Sequence, residues 1–510
     1  MTPVDKQRLK RQGLYSRAAQ LIRGLPQDRG MVDQMIAAAK LKDSPEVRYH
    51  SQLPTGKTTR DELADFFESN LPRLKIEQYG ESPNSLQKYE LPRFSELRNK
   101  HNDARYNRGE DLTPDERVEF DRMWNRSAHA QGHMETEPEY ESEDPEPKSP
   151  QYEDYKMPGM KNYRERLISL HKPYGSERES FQSSHWAGHP DVIAHLRLGD
   201  RVTPDGKRLL QVDELQSDWA QSGRDTGFNT GDAKAAYDAH VEDMRSRMRQ
   251  ALIDEGLPER VASPLYENAE PWHLAKYHGE EDKLNQLRDR VVDEAGKVPS
   301  GPYVGNTNHW TDLALKNVLR EAAIGDYHGV VFTPGQAQAD RYGLQKHVDA
   351  VLYDPKGKRL RATRGADTVL DEGGIEPEHV SSYIGKEAAQ KLLSPDNSYR
   401  VGDTVHHSLV GDDLNVGGQG MKGYYDQRVP TNVMRLAKMH DPNAQFGEPV
   451  SMTGDNGEEY QGMHLPMSQE MKNSILDKGF PAMKRGGFIK PVQTGNVSRA
   501  IDIVSGKRNG

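Results

Sequence analysis

The chain has 510 residues, a formal net charge of −10 and no cysteine; 34 % of its residues are apolar and 29 % charged. The apolar share lies well below the ~45–50 % of an ordinary globular domain, so a length that admits about three domains implies one packed domain plus segments that bury little. A disulfide scaffold, a thiolate zinc site and a cysteine nucleophile are excluded, no apolar run is long enough to span a bilayer as a helix, and the acidic balance argues against nucleic-acid binding over the whole surface.

In chain order, residues 1–133 are predicted to be a helical N-terminal region. The opening stretch carries basic residues without the apolar run of a secretory signal. Leu14, Ala18, Leu21 and Ile22 recur at three- and four-residue spacing, with Lys and Arg on the other side. Thr59, with Glu62 three residues on, reads as a capping box ahead of Leu63, Phe66, Phe67 and Leu71. Residues 94–128 read as a charged helix. The tract METEPEYESEDPEPKSPQYEDY is acidic and punctuated by proline, which predicts an extended linker over 134–158 and a domain boundary there.

Beyond it the pattern changes to period two. Val192, Ala194, Leu196 and Leu198 alternate, TPDGK supplies a tight turn, and LLQVDELQ returns as a second strand. Residues 232–295 turn charged and helical, and read as a helical hairpin inserted in the domain. A helix with a stripe of Leu313, Leu315, Val318, Leu319 and Ala322 then leads into a buried strand, GVVFT. Two short strands flank YDPKGKR, GKEAAQKLL is a short helix, and MKGYYDQRVPTNVMRLAKM is a helix broken at Pro430. A last strand and helix close the domain near 483, and a basic, glycine-rich tail follows over 484–510. The predicted class is α+β: a mixed-sheet domain over 159–483 with a helical-hairpin insertion, preceded by a helical region.

Several phrases carry a resemblance. SSHWAGHPDVIAHLRLGDRVTPDGKRLLQVDELQSDWAQSGRDTGF, PYVGNTNHWTDLALKNVLREAAIGDYHGVVFTPGQAQADRY, GGQGMKGYYDQRVP and LPMSQEMKNSILDKGFPA are similar to a module of the large polyvalent proteins of tailed phages and prophages. The upstream YHSQL…KTTRDELADFF…LKIEQYG resembles the segment that often precedes it. The resemblance brings no assigned activity. It implies a phage or prophage accessory protein, virion-associated or delivered into the host with phage DNA, whose partners are virion or host proteins and whose place is the particle or the host cytoplasm.

Three clusters could carry chemistry. The first is Asp213, Glu214, Gln216, Ser217 and Asp218 at the end of an apolar strand, where α/β sites are built. Asp200 on the partner strand could add a third carboxylate and make a hard-cation or nuclease site, although Gln216 stands where a nuclease core has its lysine; Ser217 or Asp218 as a helix cap is the plainer reading. The second is Ser183, Ser184, His185, His195 and Arg197. His195 and Arg197 share a strand face and suit a phosphate or dinucleotide. With Ser217 and Glu214 they are loosely similar to ADP-ribosyl transferases, for which no late Glu is evident. The third is TPGQAQADRY, where Gln336 and Arg341 open a helix that would hold an anion if both faced one cleft. Gly420, Lys422 and Tyr424 are further candidates for phosphate or nucleic acid. His406 and His407 are strand neighbours on opposite faces, so no metal site is expected, and the residues name no cofactor. Arg197, Glu214, Gln216 and Asp218 are thus the candidate catalytic set, and His185, His195, Ser217, Gln336, Arg341 and Lys422 the candidate substrate-binding set. Three classes stay open: a phage accessory protein, a nucleotide-using enzyme, transferase ahead of nuclease, and a nucleic-acid binder working through its basic termini.

Overall fold

A computed structural model describes most of residues 13–80 and 91–123, residues 149–171 and 179–414, and residues 418–483 apart from 455–456. The basic termini and the acidic tract up to residue 148 lie outside the described residues. The fold is α+β.

Three short helices, α1 (Arg17–Arg23), α2 (Val32–Ala38) and α3 (Arg60–Ser69), bury Ile22, Met35, Leu63 and Phe67 against one another. The capping box forms: Thr59 accepts from the Glu62 N–H and Glu62 accepts from the Thr59 N–H. The stripe expected on the first helix is only half right. Leu14 lies in a two-residue strand and Leu21 is exposed, while Ala18, Ala19 and Ile22 make the buried face.

The N-terminal region is not a separate helical head. Strand β1 (Leu74–Gly80) joins the main sheet, and Leu14–Tyr15 pairs in parallel with Phe480–Pro481 near the far end of the described chain. Helix α4 (Leu91–Arg105) follows. The next strands are β2 (Lys161–Leu170), β3 (Val192–Val202) and β4 (Arg208–Gln216), with the turn between β3 and β4 where TPDGK predicts it. Helix α5 (Asp218–Thr226) leads to the insertion, which is four helices rather than a simple hairpin: α6 (Asp232–Asp254), α7 (Glu259–Glu267), α8 (Pro271–His278) and α9 (Glu281–Ala295). Helix α10 (Thr307–Ile324), strand β5 (Gly329–Phe332) and helix α11 (Gly335–Tyr342) come next.

A second sheet follows, of which the sequence showed only part. It holds β6 (Ala350–Asp354), β7 (Arg359–Arg364), β8 (Asp367–Gly373), β9 (Ser398–Val401) and β10 (Thr404–Val410), in the order β8-β7-β6-β10-β9. Val351, Tyr353, Leu360 and Leu409 pack there with Ala388, Ala389 and Leu392.

Pro430 does not break its helix. The chain runs from Gln419–Lys422 through a π-helical turn, Gly423–Arg428, into α12 (Val429–Ala437), and Pro430 sits in the first turn, where its missing N–H is no loss. Strands β11 (Val450–Thr453) and β12 (Glu459–Pro466) and helix α13 (Gln469–Lys478) complete the described chain.

The main sheet has the order β11-β12-β5-β4-β3-β2-β1. All its pairs are antiparallel except β4 with β5. One face, with Ala194, Leu196, Leu198, Leu210, Val212, Val330 and Phe332, packs under α10 as the main core. Buried at that core's edge, Arg164 donates to Glu321 (2.9 and 2.5 Å) and to Asp200 (3.3 Å), and the Tyr327 hydroxyl donates to Asp200 (2.5 Å). The opposite face carries His195, Arg197 and Glu214.

Candidate functional site

The parallel pair defines the site. β4 and β5 run in register only from Leu209/Gly329 to Val212/Phe332, closed by the Thr333 N–H on the Val212 carbonyl (3.1 Å). Beyond that point side chains take the place of the missing strand. The Gln338 amide donates to the Asp213 carbonyl, and the Tyr425 hydroxyl accepts the Leu215 N–H (3.0 Å) and donates to the Leu215 carbonyl (3.1 Å). A crevice at the carboxyl ends of parallel strands is where open sheets bind ligands. Here a cavity of about 670 Å³ opens, lined by His185, His195, Arg197, Glu214, Gln216 and Ser217 and walled by Tyr152, Tyr155, Trp310, Tyr424 and Tyr425.

A bulge sets the polar end. Arg197 pairs with Glu214 and Leu198 with Val212, which leaves Asp213 as the extra residue. The two acids, adjacent in sequence, take different partners, and of the two only Glu214 lines the cavity. Glu214 forms a buried ion pair with Arg197. Asp213 is held by a forked pair from Arg341 (2.9 and 3.1 Å) and by the Thr333 hydroxyl (3.2 Å). Burial pushes the Glu214 carboxyl up, to about 7, with the Asp218 charge adding to the rise and Arg341 and His185 opposing it. The Arg197 guanidinium contacts the same carboxyl and favours its charged form.

The SSHWAGHP phrase straps the same end. The Ser183 hydroxyl donates to Asp218, and His185 Nδ1 lies 3.1 Å from the same carboxylate oxygen. Gln216 donates to the other oxygen (2.7 Å). These bonds from His185 and Ser183 outweigh burial and hold the Asp218 carboxyl at about 2, while Asp218 raises His185 above its ordinary value. Trp186 Nε1 donates to His195 Nδ1 (3.1 Å). Burial drives His195 down to about 3, so the ring is neutral, and with Nδ1 accepting it carries its proton on Nε2.

Of the candidate residues, Arg197, Glu214, Gln216, His185, His195 and Ser217 converge on one cavity, with Asp218 bonded behind them. Ser217 is also the N-cap of α5, accepting from the Ala220 N–H (3.2 Å), as the plainer reading had it. Three expectations are corrected. Asp200 lies in the Arg164–Glu321–Tyr327 network, not beside Glu214, because strand register puts it opposite Leu210. Gln336 and Arg341 do not share an anion site: Arg341 is spent on Asp213, Gln336 is exposed and donates to Asp340 (2.6 Å), and the Gly335 N–H is already taken by Asp426 (2.7 Å). Of the glycine-loop candidates, Gly420 and Tyr424 line the cavity and Lys422 does not.

The sequence reading missed Tyr152, Tyr155, Arg224 and Trp310. The first two fall inside the predicted linker, yet the start of this stretch is fastened to the main sheet. The Gln151 and Tyr152 N–H groups donate to Glu165 (2.9 and 2.6 Å), and the Tyr152 ring lies 5.9 Å from the Arg197 guanidinium. The available signal was the change from proline-spaced acids to QYEDYKM, where aromatics and a methionine return. Trp310 stacks on Tyr424 at 5.5 Å and 24°. Among the described residues no group of three or more His, Asp or Glu could hold a metal ion, and no helix is long and apolar enough to cross a membrane. No family model, curated protein or solved structure matches the chain.

Proposed function

We propose that the protein is an enzyme acting on a nucleotide-class substrate in the cavity beside Glu214, and that it serves as a phage or prophage accessory protein, in the particle or in the host cytoplasm. One observation carries the enzymatic reading: acid–base and charged groups from β3, β4 and the 183–186 strap meet at the end of a parallel strand pair, in a hollow walled in part by Tyr152, Tyr155, Trp310, Tyr424 and Tyr425. The volume falls within the ~300–1,000 Å³ of small-molecule sites. Aromatic walls suit a planar heterocycle. His185, oriented by Asp218, is placed to accept or give a proton, and the Arg197–Glu214 pair to recognise polar groups on the ring or sugar. The phage role rests on the phrase resemblance alone and says where such chemistry would be used.

A nuclease is the weaker alternative, since Asp200, Asp213 and Glu214 are each engaged by a different arginine instead of sharing one centre. The test is incubation of the full chain with host extract and isotope-labelled NAD or nucleoside triphosphates, followed by mass spectrometry of proteins and small molecules. The reading expects a labelled product that E214Q and H185Q abolish. Product from wild type and both variants alike, or none from any, would contradict it.

A further inference from the structure

The cavity is not uniform in charge. Its inner end holds the Arg197–Glu214 ion pair, in which the two charges offset one another, and its rim holds Arg224. Arg224 stands in the last turn of α5 and approaches the Thr307 hydroxyl at 3.5 Å. Arg428, outside the cavity lining, donates to the side chain of the next residue, Asn308, at 3.1 Å. Both guanidinium partners are therefore neutral groups in the first turn of α10. That turn has no acidic residue, and Asn306 caps it. Burial pushes the Tyr424 phenol, which lines the cavity, upward; the Thr311 hydrogen bond and then the Arg428 and Arg224 charges oppose that push, and the Asp312 charge adds to it. The helix terminus adds to this potential but is the lesser part, since the two full charges dominate its partial one.

We infer that the ligand enters with an anionic, phosphate-type end lodged between Arg224 and Arg428, its ring stacked along Trp310 and Tyr424 and its uncharged end toward Glu214. The reverse orientation would bring the anion to an end where the Arg197 guanidinium is already engaged by Glu214. This inference rests on the nucleotide-class reading for the ring and adds a subsite and a polarity to it. Arginine suits the role because its fork matches phosphate oxygens. Neither arginine is needed by the core, as both are exposed.

The test is titration calorimetry of the full chain with three probes: the four common nucleoside triphosphates, the matching nucleosides, and inorganic pyrophosphate. In wild type a triphosphate should bind at least tenfold more tightly than its nucleoside. R224Q and R428Q should each weaken the triphosphate about tenfold and leave the nucleoside within twofold. The double variant should bind triphosphate and nucleoside alike. Pyrophosphate binding that disappears in the double variant, with no nucleoside binding, would uphold the anion subsite and end the nucleotide reading. Equal affinity of triphosphate and nucleoside in wild type, undiminished preference in the double variant, or no binding of triphosphate and pyrophosphate would overturn the inference. Thermal melts of the variants matching wild type confirm that folding is not what changed.

Discussion

His195 illustrates how a single residue in this site ties function to stability. Its ring is buried and neutral, held at about 3 against an ordinary 6.5 by burial, with Trp186 on Nδ1. Between those values the unfolded chain binds a proton that the folded chain refuses, so the contribution is whole above pH ~6.5 and is lost as pH falls toward 3. Urea melts should show wild type losing about 1–2 kcal/mol more than H195Q between pH 6.5 and 5; parallel profiles would contradict a buried neutral ring. Glu214, the partner of Arg197, is shifted in the opposite sense, upward by burial. Removing the guanidinium leaves a buried carboxyl that burial pushes upward. A raised carboxyl favours folding below its unfolded value and loses that advantage as pH climbs through the folded one. R197M should therefore cost about 3 kcal/mol at pH 8 and clearly less at pH 5, with R197M/E214L recovering most of the loss. A loss independent of pH would mean that Glu214 is not the strained partner.

Among the elements, the parting of β4 from β5 creates the site, and Tyr425 is what closes the backbone there. Its hydroxyl serves both the N–H and the carbonyl of Leu215. Y425F should leave both unpaired, cost about 2–4 kcal/mol, and speed amide exchange at Leu215. Y424F loses only the Thr311 contact (3.0 Å) and should cost less; equal effects would deny the strand-mimicking role. The β3–β4 hairpin was legible because Val192, Ala194, Leu196 and Leu198 alternate around a strong turn, and the capping box because its two residues are local. The bulge was not legible. Nothing in VDEL marks Asp213 as the extra residue, and the register that pairs Arg197 with Glu214 exists only once the strands meet. Strand β8 was hidden for another reason: it is almost wholly exposed, so no apolar alternation is required of it. The π turn before α12 could not be foreseen either, since Pro430 alone reads as a break.

For the whole molecule, the main departure from the sequence reading is that the N-terminal region is built into the domain. β1 lies at the edge of the main sheet, and Leu14–Tyr15 lies against Phe480–Pro481. Co-expressed halves, residues 1–140 and 141–510, should therefore purify together at equal stoichiometry, whereas a tethered head would elute alone. The candidate site was legible as a set of residue types: the cluster around Glu214 and the His195–Arg197 face were both named, and sheet topology joins them. Its aromatic walls were not, because Tyr152 sits in an acidic tract and Trp310 in a helix whose stripe reads as core. The most direct measurement of the central claim is photo-crosslinking of the full chain with azido-nucleoside triphosphates and mapping of the labelled peptides. Labels are expected on the peptides holding Tyr152–Tyr155, Trp310 and Tyr424, suppressed by excess unmodified nucleotide. Labelling spread over lysine-rich surface peptides, or labelling that unmodified nucleotide does not suppress, would contradict it.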